Sequence, residues 1–105
     1  MELSQLQKDC YESAKASGFW GDIEYNVSEK LMLVVSELGE ACEALRHDHR
    51  QTTTEWQKDT FEDELADSVI RILDLAQRMR INLTWQIEKK LEHNKTREYK
   101  HNKLF

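Results

Sequence analysis

Apolar side chains recur at helical spacing between residues 31 and 46, and this stretch constrains the fold more than any other. Glu37 and Glu40 lie three residues apart within it, and their angular positions put them at the edge of the apolar face of an amphipathic helix. Two like charges at the margin of a core are unfavourable unless a cation lies between them. The pair is therefore a first indication of a metal site. The apolar positions are Leu31, Val34, Val35, Leu38, Ala41, Cys42 and Leu45.

The composition favours helices over a sheet. The chain has 105 residues, no proline, three glycines and 39% hydrophobic residues, which suits one small domain, residues 1–105. We therefore expect an all-α, four-helix bundle-like protomer whose long helices pack antiparallel and assemble further by helix packing. The predicted helices cover residues 2 to 17, Ser28 as N-cap to Arg46, Asp59 or Thr60 to Arg80, and Asn82 or Thr84 onward.

Charge and cysteine content indicate a cytoplasmic protein that binds neither nucleic acid nor membranes. The net charge of −5 disfavours general binding to nucleic acid or to an anionic membrane, because both of these partners are negatively charged. Cys10 and Cys42 have no metal-type spacing, so two reduced thiols are expected. We find no signal peptide, and no apolar run approaches the ~20 residues of a membrane span.

A second acidic pair, Glu64 and Asp67, also lies three residues apart beside an apolar stripe. If the two long helices pack antiparallel, the four carboxylates converge into an oxygen-rich site suited to Mg²⁺, with Mn²⁺ as an alternative. Such pairs are common on solvated helix faces in a chain with 33% charged residues. The combination of two pairs at two core margins favours the metal site.

Cations in the second half of the chain are candidates for phosphate binding. Lys90, Asn94 and Arg97 follow helical spacing along the edge of the fourth helix, where they are either phosphate donors opposite the acids or a solvated face. Arg71 lies four residues after Asp67. An ordinary ion pair within the helix is the main interpretation of Arg71, and a position near a phosphate is the alternative.

Two tryptophans in the predicted loops are candidates for contact with a nucleobase. Trp20 belongs to an aromatic loop after the first helix, in which Phe19 is predicted to close the core. Trp20 either belongs to the same lid of the core or forms a stacking wall for a planar ligand. Trp56 lies in the long polar connection over residues 47 to 58. It either anchors that loop to the body of the protein or contacts the ligand.

Several of these motifs together resemble one enzyme family. The segment SELGEACEALR followed after a spacer by ELAD, with GFW before it and NKTREYKHNK near the end, resembles the MazG-like branch of the all-α nucleoside triphosphate pyrophosphohydrolases. The signature of that family is E-E-x-x-E, a spacer and E-x-x-D, and the resemblance covers most of the chain. Ser36 stands where the signature has its first glutamate.

The resemblance implies a helical bundle that forms a homodimer or homotetramer. It also implies Mg²⁺-dependent hydrolysis of (deoxy)nucleoside triphosphates to monophosphate and pyrophosphate, a house-cleaning of the nucleotide pool. The implied metal ligands are Glu37, Glu40, Glu64 and Asp67, with catalysis by Glu37 and Glu40, and the implied phosphate contacts are Lys90, Asn94 and Arg97. The alternatives are a related all-α enzyme acting on dUTP or phosphoribosyl-ATP, and a non-catalytic helical interaction module.

Overall fold

The computed structural model is all-helical over the residues it describes, which are 1–21 and 24–101, with side chains of the last helix described as far as Thr96. This confirms the predicted fold class. The four helices are α1 (Leu3–Ala16), α2 (Val27–Arg46), α3 (Phe61–Arg78) and α4 (Leu83–His101). Across these described ranges, no helix is long and apolar enough to cross a membrane.

The helix that carries the first acidic pair begins two residues earlier than predicted. Asn26 is the N-cap of α2, and its side-chain oxygen accepts a hydrogen bond from the backbone N–H of Glu29 at 3.2 Å. Ser28, the predicted cap, lies inside the helix instead. Asparagine and serine are similarly good caps, so the sequence alone did not distinguish these positions.

The ends of α3 and the start of α4 follow ordinary capping rules. Thr60 caps α3 by accepting from the backbone N–H of Asp63 at 3.1 Å, as one of the two predicted alternatives required. The helix ends at Arg78, before the predicted limit, because Arg80 adopts a left-handed backbone with φ 58°. Asn82 then caps α4 by accepting from the backbone N–H of residue 85 at 3.0 Å.

Helices α2 and α3 form the centre of the protein. They pack antiparallel, α1 packs against α3, and α4 packs chiefly against α1. The face of α2 that meets α3 carries Val34, Ala41 and Ala44, all buried. Small side chains let two helices approach closely, so this face brings the acidic residues of α2 near those of α3.

A second apolar face of α2 and α3 is exposed, contrary to the single buried stripe that the sequence predicted. The side chains of Leu31, Val35 and Leu38 are 50%, 53% and 45% exposed. Because the helices are antiparallel, the helical repeat turns the exposed apolar residues of both helices to the same side of the pair. We call this surface the apolar face; it comprises Leu31, Val35, Leu38 and Leu45 of α2 and Leu65, Val69 and Ile72 of α3.

A buried amide on α1 fixes the turn between α3 and α4. Gln7 is 5% exposed, and its Nε2 donates to the backbone oxygen of Ile81 at 2.7 Å and to Oε1 of Gln77 at 3.2 Å. Buried polar groups are retained where they satisfy such bonds. Gln7 therefore ties α1 to the point from which α4 departs.

Candidate metal centre

Three carboxylates meet between α2 and α3. Glu37 and Glu40 from α2 and Glu64 from α3 each place one carboxylate oxygen within 4.8 Å of the other two. We call these residues the acidic cluster. Asp67, one turn along α3, is outside this group. The structure thus brings together three of the four residues that the sequence proposed as metal ligands.

Within the acidic cluster, the ionised carboxylate of Glu64 is the least stable when no cation is bound. It is 5% exposed, and among the described residues its buried Oε2 has no hydrogen-bond partner. Burial first, and then the neighbouring carboxylates of Glu40 and Glu37, raise the pKa of Glu64 to about 7. An unpartnered oxygen beside two further carboxylates fits a hard divalent cation such as Mg²⁺ or Mn²⁺.

Asp67 borders the acidic cluster, and the negative charge of the cluster affects its pKa. Burial, followed by the negative charges of Asp63 and Glu37, raises the pKa of Asp67, while Arg71 opposes the rise. Asp67 is half-buried. Its position suits a residue that binds at the edge of the cluster.

Arg71 forms an ion pair across the two helices. Its Nε donates to Oε1 of Glu37 at 2.9 Å, with the two side chains 30% and 12% exposed. The main sequence interpretation, an ion pair with Asp67 within α3, is not the bond that the structure describes. Spacing within one helix does not report a partner on the facing helix, so the sequence missed this contact. The guanidinium carbon also stands 5.3 Å from the ring centroid of Phe19.

Two clefts open on either side of the acidic cluster. The first, the Arg71 cleft, has a volume of about 230 Å³ and includes Phe19, Glu37, Asp67, Arg71 and Asp74 in its lining. The second, the His49 cleft, has a volume of about 330 Å³. The His49 cleft is lined by Glu40, Glu43, Ala44, His47, His49, Asp59 and Glu64.

Trp20 lies in the core and does not form an open stacking wall. It is 8% exposed, and its indole N–H donates to Oδ1 of Asp74 at 2.8 Å. Its ring centroid is 5.5 Å from that of Phe19 and 5.0 Å from that of Tyr25. Trp20 thus takes the core position, one of its two predicted alternatives, whereas Phe19, which was predicted to close the core, is half-buried and lines the Arg71 cleft.

Trp56 takes one of its two predicted roles, that of an anchor between the loop and the body of the protein. Its indole N–H donates to Oδ1 of Asp63 at 3.1 Å, which anchors the connection to the first turn of α3. The residue is nevertheless 70% exposed, so its ring stays accessible to a ligand.

A further group of acids at the start of α3 has a structural explanation. Asp59, Asp63 and Glu64 also place oxygens within 4.8 Å of one another. The carboxylate of Asp63, however, accepts from the backbone N–H of Asp59 at 2.9 Å and from Trp56. These bonds join the connection before α3 to the first turn of the helix, so the carboxylate of Asp63 has a structural role there.

Two of the three predicted phosphate-binding residues of α4 lie away from the acidic cluster in the described part of the chain. Lys90 and Asn94 are exposed, and α4 packs chiefly against α1 rather than against the α2–α3 pair. The side chain of Arg97 lies outside the described residues. Helical spacing groups residues on one face, but it does not specify which element that face meets.

Comparison with known proteins leaves the assignment to the chemistry of this site. No protein-family model, curated protein or solved structure matches the chain.

Proposed function

We propose that this protein hydrolyses (deoxy)nucleoside triphosphates to nucleoside monophosphate and pyrophosphate, with Mg²⁺ as cofactor, as part of nucleotide-pool house-cleaning in the cytoplasm. The observation that carries the proposal is the buried, unpartnered Oε2 of Glu64 beside the carboxylates of Glu37 and Glu40. A protein keeps such an arrangement when a cation or a reaction uses it. The sequence resemblance supplies the reaction type.

The residues of the acidic cluster take different parts in this proposal. Glu37, Glu40 and Glu64 would hold the cation, with Asp67 at the edge. When bound, Mg²⁺ neutralises triphosphate charge and lowers the pKa of water. Glu37 is already bonded to Arg71, whereas Glu40 is exposed and lines the His49 cleft. Glu40 is therefore the residue better placed to orient the attacking water and accept its proton.

A second copy of the chain would complete the site. The apolar face groups seven exposed apolar side chains on one side of the helix pair. Single exposed apolar residues are normal on a protein surface, whereas a group of this size favours association between copies. On α4, Trp85 and Leu91 are also exposed, at 52% and 56%. We infer a homodimer, or a tetramer built from it, in which α4 of one copy brings Lys90, Asn94 and Arg97 toward the acids of the other.

The alternative is a non-catalytic helical interaction module, and the exposed apolar face is the observation that favours it. In that case the acids keep the protein soluble and the apolar face binds a partner helix. Related all-α activities on dUTP or phosphoribosyl-ATP are alternatives within the enzyme class. These substrates all carry a triphosphate, so the acidic cluster would act on each of them in the same way. They differ in the base and the sugar.

The test is turnover of a panel of nucleoside triphosphates that includes dUTP and phosphoribosyl-ATP, with pyrophosphate and orthophosphate measured separately. We expect Glu40→Gln to lower the rate with Mg²⁺ by at least about 100-fold because the variant loses an anionic ligand or base. Glu29→Gln is the matched control, since Glu29 is an exposed glutamate of the same helix that lies outside the described linings of both clefts. Full activity of Glu40→Gln would contradict the assignment, and a wild type inactive on the whole panel would favour the interaction module.

A further inference from the structure

Arg71 has a position that the proposed function does not yet explain. Its ion pair with Glu37 uses Nε, so the two Nη groups remain as donors for a ligand. The guanidinium is 30% exposed and lines the Arg71 cleft. It therefore stands between a residue of the acidic cluster and an accessible volume.

The two clefts beside the acidic cluster differ in chemistry. Both clefts contain carboxylates, which in the Arg71 cleft are those of Glu37, Asp67 and Asp74, but the Arg71 cleft also contains a guanidinium and the aromatic ring of Phe19. The lining described for the His49 cleft consists of carboxylates, two histidines and one alanine. A guanidinium binds phosphate oxygens through charge-assisted, often paired hydrogen bonds, and an aromatic ring offers a stacking surface for a base. Only part of a nucleotide fits a volume of about 230 Å³, because whole-ligand pockets start near ~300 Å³.

We propose that Arg71 binds the α-phosphate of the nucleotide, so that the nucleoside monophosphate half lies in the Arg71 cleft against Phe19. This inference rests on the proposed function and assigns an orientation to its substrate. Nε keeps its bond to Glu37, and the Nη groups meet the phosphate that is adjacent to the cluster. Arg71 then connects a metal-binding carboxylate to the reacting phosphate with one rigid side chain. The pyrophosphate half extends away from this cleft.

The two reaction products correspond to the two halves of the substrate, so their binding can be measured separately. In the presence of Mg²⁺, isothermal titration calorimetry would measure the affinity for inorganic pyrophosphate and for the monophosphate of the nucleotide that wild type hydrolyses fastest. We expect Arg71→Gln to weaken monophosphate binding about tenfold or more and pyrophosphate binding less than about twofold. Arg71→Lys should fall between wild type and Arg71→Gln because lysine keeps the charge without the fork.

The matched control is Arg50→Gln. Arg50 also donates from Nε to a glutamate, Glu62, at 2.9 Å, but it lies outside the described linings of both clefts. This control should leave the affinities for both products unchanged. A titration with Mg²⁺ alone completes the set. Arg71→Gln should weaken Mg²⁺ binding less than monophosphate binding, because removing a positive charge beside Glu37 offsets the loss of the bond that orients Glu37.

Other outcomes would overturn the inference. Equal weakening of Mg²⁺, monophosphate and pyrophosphate binding by Arg71→Gln would make Arg71 a residue that only orients Glu37. Unchanged monophosphate binding, or a loss confined to pyrophosphate, would reject the orientation. If the wild type still hydrolyses nucleoside triphosphates in these cases, the proposed function stands without the inference. A wild type that hydrolyses none of them removes the proposed function itself.

Discussion

Replacing Glu64 with glutamine should make the metal-free protein more stable at pH 8. Glutamine resembles the protonated carboxyl in shape and adds an N–H donor beside two carboxylates. The rise in the pKa of Glu64 from 4.5 to about 7 corresponds to about 3 kcal/mol of unfavourable free energy in the ionised folded state. For a domain of this size, the gain in Tm would be roughly 10 °C.

The sign of the pH dependence follows from the raised pKa of Glu64. A carboxyl that binds its proton more tightly in the folded state contributes stability below its unfolded pKa and loses that contribution as pH rises through the folded pKa. Wild type should therefore lose stability between about pH 4.5 and 7. Glu64→Gln should resemble wild type closely at pH 4 and exceed it at pH 8.

Urea unfolding at pH 4 and pH 8, with chelator and then with Mg²⁺, would measure these differences. Mg²⁺ at 100 times its dissociation constant should stabilise wild type by about 2.7 kcal/mol, and it should stabilise Glu64→Gln much less. Glu62→Gln is a control for which the expected change in stability is the opposite. Hydrogen bonds from Gln51 and then Arg50 lower the pKa of Glu62, so this variant should be less stable than wild type at pH 8. If Glu64→Gln were no more stable than wild type at pH 8 without metal, the argument from repulsion would be refuted.

Two further variants test the assembly and the core. Leu38→Glu, in the apolar face, should convert the proposed dimer to a monomer, as measured by light scattering coupled to size exclusion. Met32→Glu is the control and should not change the mass, because Met32 is 61% exposed and lies outside that face. A dimer that survives Leu38→Glu would count against the apolar face as the interface. Trp20→Phe removes the N–H that donates to buried Asp74 and should lower the free energy of unfolding by about 1–3 kcal/mol; an unchanged urea midpoint would mean that Asp74 finds another donor.

The fold and part of the site followed from local patterns in the sequence. Apolar spacing located four helices, because each must bury one face. The spacing of Glu37 with Glu40, on a helix antiparallel to the one with Glu64, was enough to expect carboxylates from two helices at one place. These inferences use only the helical repeat and the rule that long neighbouring helices pack together.

The remaining features depend on contacts between distant segments. Trp20 and Asp74 are 54 residues apart, and no local pattern pairs them. Arg71 had acidic neighbours on its own helix and on α2, and spacing within one helix favoured Asp67 over the observed partner Glu37. The sequence also predicted one apolar stripe on α2, whereas the structure buries Ala41 and leaves Leu38 exposed. Leu38 is more hydrophobic than Ala41 but too large for the close approach to α3.

The bond from Gln7 to the turn before α4 connects assembly to a residue far from the apolar face. Gln7 holds the backbone of Ile81, and α4 departs from this turn to carry Lys90 and Asn94. The direction of α4 is thus set by an amide of the first helix. A substitution at Gln7 that tilts α4 by a few degrees would displace its far end most, as with any lever. A substitution at this buried position would therefore displace Lys90 and Asn94 relative to the acidic cluster of the proposed dimer, while leaving every residue of that proposed site unchanged.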